Sequence, residues 1–332
     1  MKKRIIYIAI LLFGISRIAY SQSDFKISEQ VFSRINQNPA AIGNDEDIQL
    51  FTFTRLQWMR IENSPISTLL NGHYYNKKIK SGIGLVFSYD QYGIANQTVN
   101  AKAAYAYNVD LFKDAFLSFG LSAGVIYKHF DMEKHRWPNP NDPFIPQQSM
   151  NNTSFDMDFG LEFSYRYLSA GASITHLTKI AQEVKTGFVP SHINAYVRGI
   201  IPIADQFTIF PAVTYVNLGA LNKKIAYPIA QNNLIDINVV AMYQKKYWVG
   251  VGFQINTMVS FMTGFEWDFL RVGYCYDLSI GKTFNMATST HEIMLSFIIP
   301  TQQVRKIEEP NLKTKRESKL IKNTLKTKYK NK

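Results

Sequence analysis

Glu292-Ile293-Met294-Leu295-Ser296-Phe297-Ile298-Ile299 divides into two rows of alternate residues. Ile293, Leu295, Phe297 and Ile299 share one face of an extended strand, and Glu292, Met294, Ser296 and Ile298 share the other. The same period of two returns along most of the chain. Leu117, Phe119, Leu121, Ala123, Val125 and Tyr127 oppose Ser118, Gly120, Ser122 and Gly124. Phe155, Met157, Phe159, Leu161, Phe163 and Tyr165 oppose Asp156, Asp158, Gly160, Glu162 and Ser164. Val249, Val251, Phe253 and Ile255 oppose Gly250, Gly252 and Gln254. Strands with one greasy face and one of glycine, serine and charge fit a closed antiparallel sheet with lipid outside, an all-β transmembrane barrel.

The beginning of the chain agrees with export. Lys2, Lys3 and Arg4 precede an apolar run from Ile5 to Ile15, and Ala19-Tyr20-Ser21 is a small-x-small cleavage site. Residues 1–21 are therefore expected to be a signal peptide, too short in its apolar core to span a bilayer as a helix. The net charge of +12 belongs to the two ends. The leader carries +4 and residues 303–332 carry +8, which leaves the central region 22–302 neutral and argues against a nucleic-acid-binding face. Cys275 is the single cysteine, so no intramolecular disulfide and no cysteine-based metal cluster are expected. Alternation with Arg271 and Gly273 puts its thiol on the inner face.

Fourteen strand-like runs are predicted: 48–58, 65–76, 82–89, 98–107, 115–128, 153–165, 167–175, 192–202, 207–216, 234–243, 247–255, 259–267, 270–277 and 290–299. The first two alternate least clearly. With the first strand starting in the periplasm, the long connections 131–152, 176–191, 217–233 and 278–289 fall outside the cell and the tight turns fall in the periplasm, the pattern of an outer-membrane barrel. An aqueous β-sandwich would place lysine and glutamate on its polar faces, where this chain has glycine and serine. Aromatic residues at segment ends (Trp58, Tyr89, Tyr127, Tyr165, Tyr243, Trp267, Tyr276) match interfacial girdles. The expected organisation is a signal peptide over 1–21, a periplasmic segment or plug over 22–47, a barrel over 48–300, and a basic periplasmic tail over 301–332 whose composition suits disorder.

The inner parities place Arg55, Asp156, Asp158, Glu162, Asp236, Glu266, Arg271, Asp277 and Glu292 in the lumen. Charges in a narrow interior need partners because desolvation is costly. Two readings stay open, an ion-pair network that fills the barrel and an acid-lined aqueous channel. Seven acids against two arginines lean acidic.

Gly120-Leu121-Ser122-Ala123-Gly124 matches the G-x-S-x-G of hydrolases. That motif works on a strand-to-helix elbow, whereas here it lies inside an alternating run with no helix pattern behind it. Asp131, Glu133 and His135 could ligate a metal from one loop, but the loop is Pro- and Asn-rich and reads as solvated surface. No Walker A loop, Rossmann fingerprint or HExxH spacing occurs. Neither an enzyme nor a cofactor is expected.

Several segments carry a family resemblance. Asn38-Pro39-Ala40-Ala41-Ile42-Gly43, Arg55-Leu56-Gln57-Trp58 with Ser64-Pro65-Ile66-Ser67, and Gly82-Ile83-Gly84-Leu85 closed by Asp90-Gln91-Tyr92-Gly93 follow one another in order. Leu168-Ser169-Ala170-Gly171 with Thr175-His176-Leu177, Leu270-Arg271-Val272-Gly273-Tyr274, and Thr290-His291-Glu292-Ile293-Met294-Leu295 continue the series. In order and spacing the chain resembles the PorP/SprF family of the Bacteroidetes type IX secretion system. The resemblance implies a non-enzymatic outer-membrane barrel that helps export or retain large surface proteins, often adhesins with a C-terminal sorting domain, and in some members supports gliding. Its implied partners are periplasmic and outer-membrane components of the secretion machine, the exported protein and outer-membrane lipid. The basic tail of about 30 residues departs from the family, which usually ends near the last strand. A porin or hydrophobic-solute transporter with residues 22–47 as plug is the alternative.

Overall fold

In the computed structural model the described residues are 27–44, 48–59, 61–131, 149–179, 183–184, 189–204, 206–219, 221–222, 224–225, 233–280 and 289–299. Glu133 and His135, most of the loop between them and strand 150–165, the leader and the basic tail lie outside them.

Fourteen antiparallel strands close into a barrel: β1 (Ile48–Leu56), β2 (Ile66–Asn76), β3 (Ser81–Tyr92), β4 (Asn96–Phe112), β5 (Ala115–Phe130), β6 (Met150–Tyr165), β7 (Leu168–Thr175), β8 (His192–Gly199), β9 (Phe207–Leu218), β10 (Asn233–Tyr243), β11 (Tyr247–Gln254), β12 (Met258–Trp267), β13 (Leu270–Ser279) and β14 (Ser289–Ile299). After Gly199, β8 resumes as Ile201–Ala204 alongside β9. Each strand pairs with its sequence neighbour, and β1 pairs with β14 from Ile48↔Ile299 to Leu56↔His291, which closes the ring. Closure gives each of the fourteen strands two neighbours, the condition a sheet must meet in lipid. Among the described residues no helix is long and apolar enough to cross a membrane.

The predicted strands are present within a few residues, and β4, β5 and β6 run longer than expected at their ends. Three of the turns at one end of the barrel have two residues, and in each one residue takes left-handed backbone (Asp114, φ 63°; Arg166, φ 50°; Asp268, φ 57°), as tight hairpins between twisted strands require. The long connections lie at the other end, although 93–95 and 255–257 there are tight too.

The alternation in β14 appears as a difference in exposure. Ile293, Leu295, Phe297 and Ile299 are 37–54% exposed, while Glu292, Met294 and Ser296 are fully buried. The barrel interior holds a segment of the chain itself. Residues 27–44 run through it and share one apolar core with the inner wall: Ile27, Phe32, Ile35 and Ile42 join Phe51, Phe53, Leu69, Val86, Val240, Trp248 and Met294. Phe32 packs against Trp248 with ring centres 4.9 Å apart. The inward phenylalanines explain why β1 alternates poorly in sequence. Phe51 and Phe53 share its inner face with Gln49 and Arg55, while Thr52 and Thr54 share its outer face with Ile48, Leu50 and Leu56, so neither face is uniform.

Candidate functional site

The inner segment descends the lumen. Ser28 sits level with residues two or three positions from the outer ends of β12, β13 and β14, whereas Asn44 reaches Asn108 and Ser118 near the β4–β5 turn at the opposite end. Its one regular element is a 3-10 turn over Pro39–Ala41, capped by Asn38, whose side-chain oxygen accepts from Ala40 N at 2.9 Å. Proline opens the turn because the missing N–H would find no partner there. Asn38 Nδ2 donates to Leu161 O and to Tyr196 Oη, both at 3.0 Å. Gly120 and Gly160, cross-strand partners on β5 and β6, form the seat beneath Asn38-Pro39-Ala40; a Cβ on Gly120 would strike the backbone of Pro39 and Ala40. Gly43 ends the passage in the left-handed region (φ 75°) with Tyr75 against it. The Asn-Pro-Ala-x-x-Gly stretch is thus a capped turn fitted to a glycine pair in the wall.

Charged groups tie the segment to the wall at several depths. At the outer level Arg55 bridges Asp277 (2.5 Å) and Glu292, its direct cross-strand partner at the β1–β14 seam. Ser28 N donates to Glu292 at 3.0 Å, and Ser28 Oγ lies 3.1 Å from both Asp277 and Glu292. Arg271 pairs with Glu266 at 2.8 Å and stacks over Phe32, 4.8 Å from the ring centre. Deeper in, Arg34 grips Glu162 at 3.0 Å; Glu162 also accepts from Asn44 Nδ2 at 2.8 Å and from Tyr196 Oη. On the wall between β4 and β7, Lys102 Nζ lies 2.5 Å from Asp156 and 2.8 Å from Asp158. Ser122 Oγ donates to Asp158 at 2.5 Å, His176 N donates to Asp158 at 3.0 Å, and His176 Nδ1 lies 2.7 Å from Asp156.

Eight of the nine residues expected in the lumen are buried: Arg55, Asp156, Asp158, Glu162, Asp236, Arg271, Asp277 and Glu292. Glu266 is partly exposed, its side chain 24% accessible near the tight-turn end. The acidic balance read from sequence narrows, because Arg34, Lys102, Lys179 and Arg198 are further buried cations among the described residues, against the further acids Glu29 and Asp90. Lys102 was legible from the parity of β4, whose Ala103, Tyr105 and Tyr107 face outward. Arg34 was not, since residues 22–47 have no period to read. Cys275 is fully buried and donates weakly to Asp277 at 3.3 Å.

Asp156, Asp158 and His176 bring ligand-type atoms within 4.8 Å of one another. Lys102 already binds both carboxylates, and His176 and Ser122 take further oxygens, so protein groups occupy the ligand atoms of this cluster. Ser122 hydrogen-bonds a carboxylate, an acceptor arrangement unlike the imidazole pairing that activates a serine nucleophile.

Glu29 stands apart. It is fully buried, and neither carboxylate oxygen has a hydrogen-bond partner among the described residues. Burial, reinforced by Asp277 and opposed by Arg271, pushes its carboxyl up to about 8.

Known structures share this architecture at low identity. The toluene transporter TbuX of Ralstonia pickettii is 11% identical, with 80% of this chain and 92% of that one covered and a TM-score of 0.50. The Acinetobacter baumannii outer membrane protein Omp33 is 10% identical (77% and 100% covered, TM-score 0.44), and a Pseudomonas aeruginosa FadL homologue is 10% identical (80% and 94%, 0.47). No curated protein matches the chain. The family described as type IX secretion system membrane protein PorP/SprF matches residues 19–297. A closed fourteen-strand barrel with a lipid-facing apolar wall, matched over that length, is a multi-pass outer-membrane protein, and the chain belongs to the PorP/SprF family of the type IX secretion system.

Proposed function

We propose that this barrel is a non-enzymatic docking and anchoring component of type IX secretion. It retains exported surface proteins such as adhesins with C-terminal sorting domains, and contacts the secretion and gliding machinery from the periplasm. The observation that carries this reading is the filled lumen. Residues 27–44 occupy the interior and are held by buried ion pairs and an apolar core. A barrel whose interior is its own packed core works through its rims. The outer loops face cargo, and the periplasmic turns with the basic tail 303–332 face the machine.

Affinity capture from crosslinked outer membranes, with and without residues 303–332, tests the partner assignment. Full-length protein is expected to bring down secretion components and an exported protein, with loss of periplasmic components on tail removal. Capture of neither class would overturn docking. The competing reading, transport of a hydrophobic solute, draws on the toluene transporter TbuX and on the apolar inner wall of Phe51, Phe53 and Trp248. It requires the segment to leave its seat. A steady open channel from full-length protein in planar bilayers would favour it over docking.

A further inference from the structure

We propose that the outer wall at β6–β9 carries a binding site for one glycerophospholipid of the periplasmic leaflet, with an acyl chain in a wall trough and its phosphate on Arg166. The trough comes from side-chain size along two cross-strand rows. One row reads Leu161, Ala172, Ala195, Tyr215 across β6, β7, β8 and β9; the next, toward the tight-turn end, reads Phe163, Ala170, Val197, Val213. In the first row Leu161 and Tyr215 flank two alanines; in the second Phe163 stands beside Ala170, followed by two valines. The result is an apolar depression of about 460 Å³. A second depression of about 480 Å³ shares Val197 and Val213 with it and continues to the turn, floored by Gly199 against the ring of Pro211. Pro211 has no N–H for the ladder, and beside it β8 breaks at Ile200.

Length decides the occupant. From Leu168, where β7 begins beyond the Arg166 turn, to Ala172 is four residues, about 13 Å along the strand. At a tilt of about 45° that is roughly 9 Å of depth, or about a third of a hydrocarbon core of ~30 Å. A membrane-spanning partner segment would need the whole thickness, whereas an acyl chain needs one leaflet. Charge agrees at the open end. Arg166 lines the second depression at the periplasmic rim, 56% exposed, over the Tyr165 ring at 5.2 Å and only loosely paired with Asp114 at 3.6 Å. Its planar fork of donors matches a phosphate.

The test uses full-length protein extracted from outer membranes, washed in lipid-free detergent and assayed for retained phospholipid by native mass spectrometry. Wild type is expected to keep one phospholipid. Ala172→Phe/Ala195→Phe, which fills the trough with residues tolerated on a lipid face, is expected to weaken retention about tenfold, and R166E similarly. Ala103→Phe, an outward position on β4, is the control expected to retain lipid. Heat-modifiable gel mobility reports folding in each case, and R166E, at an exposed turn, keeps the test alive if the filled variant misfolds. The proposal is overturned if wild type washes clean, if the variants retain lipid like wild type, or if the retained species is a polypeptide.

Discussion

Arg34→Met isolates the grip of the lumen on the inner segment. Arg34 and Glu162 are both buried, and Glu162 keeps two neutral donors, Asn44 and Tyr196, when the guanidinium is removed. Breaking a buried pair by deleting one partner costs ~3–5 kcal/mol when the remaining charge stays ionised. The segment is therefore expected to lose ~3–5 kcal/mol of docking. Arg34→Met/Glu162→Gln removes the stranded charge and should recover most of that loss. Two assays read it: conductance in planar bilayers, and labelling of a cysteine placed at Ala40 in a Cys275→Ser background. Flickering openings and fast labelling are expected for Arg34→Met, and near-silence for the double variant. If the single variant is as quiet and as protected as wild type, or the double is as open as the single, the ion pair does not hold the segment and the reasoning fails.

Gly120→Ala should lower the temperature at which the folded gel band converts to the unfolded one, because the methyl meets the backbone of Pro39 and Ala40; overpacking of this kind costs about 1–3 kcal/mol. Gly84→Ala meets the flexible end of Ile35 and should cost less. Glu29 makes segment docking depend on pH. Its carboxyl is raised to about 8, so the protonated form docks best; the contribution is whole below the ordinary carboxylate range and is lost as pH rises through about 8. Melting followed from pH 5 to 9 should show this decline, and Glu29→Gln should flatten it. Lys102→Met strands two adjacent buried carboxylates and should destabilise the barrel by ~3–5 kcal/mol, with Asp158→Asn in the same chain restoring part, as measured by thermal conversion on gels.

The strands were legible because lipid and lumen impose opposite chemistry on alternate residues, as Leu117 against Ser118 and Phe155 against Asp156 illustrate. β1 was the exception. Phe51 and Phe53 face the apolar cluster around the inner segment, and Thr52 and Thr54 lie on the outer row, so the contrast that marks a strand weakens. Eight of the nine residues that parity places inward are buried, a strand having only two sides, but Lys102 on β4 was passed over. Parity could not find Glu29 or Arg34, which sit on a stretch whose only regular feature is one three-residue turn. The glycine pair at 120 and 160 was visible as small inner residues, but its purpose depends on what lies across the lumen, and pattern along one strand carries no such information. The outward alanines of β7 and β8 read as ordinary lipid-facing positions; only cross-strand register lines them up between large neighbours.

Arg55 and Glu292 face each other across the junction where first strand meets last, and Ser28 rests on the same carboxylate. The seam of the cylinder and the berth of its inner segment therefore share one carboxylate, so a change at either is felt by the other.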